Sequence, residues 1–132
     1  MRLTLFTAIT AVVFLAGDFI MIPLVMAPLF KAALGEQMLT TLRLGPAAGF
    51  YIIHIAGLVY FAGLPATRGS NAAMAALNGA VLGCVAYSCY EMTSWTIMRD
   101  WNAQLVVVDL AWGTFISGFA AWCGALAVHR WR

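Results

Sequence analysis

Long apolar stretches alternate with short polar turns along this chain, and four of the stretches are long enough to cross a bilayer as helices, which takes about 20 residues each. The first runs from about residue 3 to 27 and holds one charge, Asp18. Pro23 and Pro28 near its far end are expected to kink or stop it. Residues 31–43, KAALGEQMLTTLR, then place Leu34, Met38, Leu39 and Leu42 at helical spacing with charges between them. That pattern suits a short helix lying in the membrane interface, and equally an ordinary surface connection. After Gly45-Pro46 a second helix is expected over 47–64, with Tyr51 at its start and His54 inside, ending at Pro65. The loop ATRGSN, residues 66–71, is tight enough to join only antiparallel neighbours. A third helix over 72–98 and a fourth over 103–128 flank the turn Arg99-Asp100-Trp101-Asn102. The expected fold is an all-α, integral membrane four-helix bundle, a single transmembrane domain over residues 1–132 with both termini on the same side.

Composition agrees with the pattern. Hydrophobic residues make up 64% of the 132 and charged residues 9%, where soluble domains run near 45–50% and about 25%. The mean hydropathy is +0.91. A net charge of +2 with no basic run gives no footing for nucleic acid. Cys84, Cys89 and Cys123 all fall in apolar stretches without zinc-ligand spacing, so they read as small hydrophobes, and no metal site is expected. The N-terminal apolar run continues past any plausible signal cleavage site and is read as a retained helix. Arg2, Arg68, Arg130 and Arg132 on the terminal side outnumber Lys31, Arg43 and Arg99 on the other, which favours cytoplasmic termini. His129, Arg130, Trp131 and Arg132 form an interfacial anchor at the end of the last helix.

Two rows of small residues stand out. One is Ala72, Ala76, Gly79 and Gly83 in the third stretch, the other Gly113, Ser117 and Ala121 in the fourth. Such rows let helix backbones approach closely in lipid, where no hydrophobic force drives association. They can serve inside the bundle or between copies, so a homodimer through Gly79 and Gly83, or through Gly113, Ser117 and Ala121, is one expectation besides the lipid bilayer itself. A larger membrane complex is another.

The candidate chemistry lies in the ionisable residues. An acid inside a bilayer costs roughly 2.5–3.5 kcal/mol on insertion scales, so it generally has a partner or a task. Counting about 1.5 Å per residue from the helix ends, Asp18, His54, Glu91 and Asp109 fall at a similar depth, one from each helix, in the half of the membrane away from the termini. Three acids and a histidine cannot all be charged in a dry layer. Trp95 and Trp112 lie one helical turn beyond Glu91 and Asp109, and Tyr87, Glu91 and Trp95 share a face by i,i+4 spacing. The expected ligand-binding or proton-relay set is therefore Asp18, His54, Tyr87, Glu91, Trp95, Asp109 and Trp112. The bland alternative is a hydrogen-bonded polar core that fixes helix register. His54 and His129 lie at opposite depths, which speaks against a haem held by both, and no cofactor is expected.

The segments FYIIHIAGLVYFAGLPA and NGAVLGCVAYSCYEMTSWTIMRDWNAQLVVVDLAWGT resemble a family of small bacterial membrane proteins, domain-of-unknown-function family 2177. The resemblance rests on Asp18, on Tyr90-Glu91-Met92-Thr93, on the Arg99-Asp100-Trp101 turn and on the signature from Asp109 to Thr114. It implies a four-helix protein of the bacterial inner membrane and supplies no activity. Three functions remain open. The first is binding or transport of a small polar or cationic solute or of protons. The second is an accessory subunit without catalysis in a larger complex. The third is a membrane enzyme acting on a lipid-like substrate, although no known catalytic fingerprint or catalytic residue set is present.

Overall fold

A computed structural model describes residues 1–131; Arg132, assigned above to the terminal anchor, lies outside them. Four helices are long and apolar enough to span a membrane: α1 (Arg2–Gln37), α2 (Leu44–Thr67), α3 (Ala72–Ile97) and α4 (Ala103–Arg130). The inner two connections are short, and the helices after them start on side-chain caps. Asn71 Oδ1 accepts from the Met74 N–H at 2.8 Å and Asn102 Oδ1 from the Leu105 N–H at 3.0 Å, which satisfies amides that a helix start leaves unpaired. Phe6, near the start of α1, meets Gly63 late in α2 and Gly124 late in α4. The start of α1 and the late turns of α2 and α4 therefore lie at one end of the bundle.

α4 is the central helix. Half of its most apolar window is buried, against 22% for each of the others, and both α3 and α1 pack along it. The small rows explain how α3 comes so near. Gly79 faces the Ser117 carbonyl and Ala121, and Gly83 faces the Gly113 carbonyl and the Ser117 side chain. Gly79, Gly83, Gly113, Ser117 and Ala121 thus take part in close packing between α3 and α4 of one chain. α1 presents Phe6, Thr10, Phe14 and Asp18, four residues apart, to the core, and the Thr10 hydroxyl donates to the Ala120 carbonyl at 3.3 Å. The opposite faces carry exposed Phe19, Ile53, Val81, Val107 and Phe115, a surface suited to hydrocarbon.

The prolines neither stop the helices nor act alone. The expected end of the first helix near residue 27, and the separate interfacial helix over 31–43, are both corrected: helix continues through Leu34, a 3-10 turn covers Gly35–Gln37, and residues 38–43 are not helical. The physical reason is a π-helical turn, Ile22–Met26, in which the Ala27 N–H bonds to the Ile22 carbonyl and the widened turn absorbs Pro23 and Pro28. Gly35, with φ of 56°, breaks the regular helix instead. A second π turn, Val59–Gly63, precedes Pro65. Pro65 has no N–H to offer the Phe61 carbonyl four residues earlier, and Asn78 Nδ2 of α3 supplies one at 2.9 Å. In lipid every freed carbonyl needs such a replacement.

A methyl group on Gly83 would overlap the Gly113 carbonyl, which cannot rotate away. Gly83→Ala is therefore expected to lower stability by about 1–3 kcal/mol. Gly49→Ala, which points into open space, should be neutral or slightly stabilising. Thermal unfolding of both variants in one detergent checks the contrast.

Candidate functional site

At the end of the bundle away from the termini, all four helices wall a cavity of about 630 Å³. α1 contributes Asp18, Ile22, Met26 and Phe30; α2 contributes Pro46, Ala47, Phe50 and Tyr51. Ala86, Tyr87 and Tyr90 come from α3, and Asp109 and Trp112 from α4. Beneath it Met26, Trp101, Leu105 and Val106 form a separate apolar cluster, with Phe30 against the Trp101 ring at 5.6 Å.

Asp18 is 4% exposed and each of its oxygens has a neutral donor. Trp112 Nε1 donates to Oδ1 at 2.7 Å and the Tyr51 hydroxyl to Oδ2 at 3.0 Å. An ionised carboxylate accepts only, and this cradle offers it donors from two helices. Asp109 lines the same cavity from α4. Behind it, the fully buried Glu91 accepts from Trp101 Nε1 at 2.7 Å through Oε2, and its carboxyl is a neighbour of that of Asp109. Glu91 Oε1 has no N–H or hydroxyl donor among the described residues.

His54 does not join the acids. Its Nε2 lies 2.9 Å from the Ser117 hydroxyl, and Ser117 is eight residues beyond Asp109 on α4, roughly 12 Å along the axis. Its ring packs on Phe14 at 4.9 Å and on Phe50 at 5.3 Å, with Tyr87 edge-on at 6.0 Å. The expected single layer of four ionisable groups is in fact three acids, with the histidine screened from the cavity by Phe50 and Tyr87. Trp95 is a second correction: it is 46% exposed and points away from the site. Ser94 takes the inward position instead, because a further four-residue step from Glu91 turns past the buried face.

Three residues gained importance only in three dimensions. Tyr51 shares a helix face with His54 and Leu58, a spacing visible in the sequence. Trp101 had been placed in a polar turn, yet it is buried and folds back on Glu91. Ser117 counted only as a small residue, and it is the partner of His54. Among the described residues no three His, Cys, Asp or Glu side chains converge as a metal cage.

Fold and site together define a membrane protein of four spanning helices with acids enclosed among them. The chain belongs to the family described as predicted membrane protein (DUF2177), which matches it over residues 3–126. No curated protein and no solved structure matches the chain.

Removing the indole N–H from Trp101 leaves a buried carboxyl oxygen without its donor. Trp101→Phe should therefore cost about 1–3 kcal/mol, while Trp95→Phe on the exposed face stays within about 0.5 kcal/mol. Equal losses in thermal unfolding would mean that the Glu91 contact contributes nothing.

Proposed function

We propose that this protein binds a small organic cation in the cavity between its four helices and exchanges it for a proton at the Glu91–Asp109 pair. The observation that carries the reading is the lining: two carboxyl groups, no basic side chain, and the aromatic residues Tyr51, Tyr87, Tyr90 and Trp112. Aromatic faces attract cations, more strongly when desolvated, and quaternary ammonium groups are a common guest of such cages. The volume of about 630 Å³ lies within the range of small-molecule sites, about 300–1,000 Å³. Asp18, already bonded by two neutral donors, is assigned the fixed negative charge. Asp109, in contact with Glu91, is assigned the exchangeable proton. His54, bonded to Ser117 behind the ring wall, is given a structural task rather than the relay role considered for it. The setting proposed is a bacterial inner membrane with cytoplasmic termini, on the balance of Arg and Lys between the two ends, so that the cavity serves the outer half of the bilayer.

Titrating the protein in lipid nanodiscs with tetramethylammonium tests this. Asp18→Asn should weaken binding about 30-fold or more, because the cation then loses its buried partner. Raising the pH should tighten binding to the unaltered protein, since on this reading protons compete with the cation for Asp109. Binding unaffected by Asp18→Asn in a variant that still unfolds cooperatively would sink the proposal.

A further inference from the structure

A second void of about 630 Å³ lies on the lipid-facing side of the molecule, between α1 and α2. It exists because α1 leans on α4 and touches α2 sparsely, and because Ala11 and Ala56 leave space where larger side chains would close it. Its wall holds no charged residue, and Leu15, Ile52 and Ala56 on it are exposed. From Leu3 to Leu15 it follows α1 for roughly 18 Å, about the depth of one bilayer leaflet. Tyr51 lines this groove and the acidic cavity alike. Its hydroxyl bond to Asp18, at 3.0 Å, is the one side-chain hydrogen bond between α1 and α2 among the described residues.

From this continuity we infer that the ligand is an amphiphilic cation taken laterally from the bilayer, its alkyl chain in the α1–α2 groove and its ammonium head past Tyr51 at Asp18. The inference rests on the cation reading above and adds the route and the substrate class to it. The two ends are complementary to the two voids: an uncharged apolar channel for the chain, and a carboxylate among aromatic rings for the head. A cation arriving at Asp18 competes with the Tyr51 hydroxyl for Oδ2, so entry of the head and release of the tyrosine are one event. Tyr51 is thus a positioning residue that closes the lateral opening when no ligand is present.

The experiment compares dodecyltrimethylammonium with tetramethylammonium on the full chain in nanodiscs, corrected for partition into empty discs. The long-chain cation is expected to bind at least tenfold tighter. Ala56→Trp, which fills the groove from an exposed position, should abolish that gain and leave tetramethylammonium binding unchanged; Ala11→Trp does the same from the other wall and serves if the first variant fails to fold. Tyr51→Phe should speed entry of both cations. If tetramethylammonium binds through Asp18 but the chain adds nothing, or its gain survives both tryptophans, the lateral route is overturned and the cavity reading stands. If neither cation shows binding that depends on Asp18, the cavity reading itself falls.

Discussion

Hydrocarbon offers no hydrogen bonds, so each polar group that this chain carries into the membrane has to be answered from within the chain. The answers are specific, and each ties two elements together. Asp18 of α1 is held by Tyr51 of α2 and Trp112 of α4. His54 of α2 meets Ser117 of α4, and Asn78 of α3 caps the carbonyl that Pro65 leaves free in α2. Glu91 is held by Trp101 from the turn that follows its own helix. α3 and α4 need little of this help, because glycine lets their backbones touch along both small rows. α2 lacks such a row against α4, and polar bonds hold it in place. Packing and polar satisfaction therefore divide the bundle between them, and the rotation of each helix is fixed by where its polar residue must point.

The same requirement separates three carboxyls of similar chemistry. Asp18 has a neutral donor on each oxygen. Glu91 and Asp109 face each other with one indole N–H between them for support. The proposed division of labour among the three acids would rest on the donors each one was given, not on the residue type.

Much of this was legible in the sequence. Apolar stretches of spanning length placed four helices, and one acid or histidine in each marked where polar contacts would form. The glycine rows announced close packing but not whether their partner was the same chain or another copy, since spacing carries no such information. The rest failed for physical reasons. A proline predicts a stop only when the freed carbonyl has no substitute donor; here a π turn and Asn78 supplied what local sequence could not show. Residues four apart share a face, but each such step advances about 40° around the helix, so the run Tyr87, Glu91, Trp95 left the core at its last member. Depth counted from helix ends could not see that His54 is turned along α4 toward Ser117 and away from Asp109.

α1 differs from its neighbours in a way that bears on how the site opens. Its inner face is anchored on α4 by Phe6 against Gly124, by the Thr10 hydroxyl on the Ala120 carbonyl and by Gly17 against Ile116. Toward α2, by contrast, a void runs along it and a single hydroxyl bond closes the end. A helix packed closely along one neighbour, and joined to the other by a few ring contacts and one side-chain hydrogen bond, can yield at that bond without disturbing the α3–α4 seam. The bond is also the one that a cation at Asp18 would replace. On the proposed route, ligand entry and helix opening would draw on the same interaction, so that the cost of parting α1 from α2 would be offset by the contact that requires it.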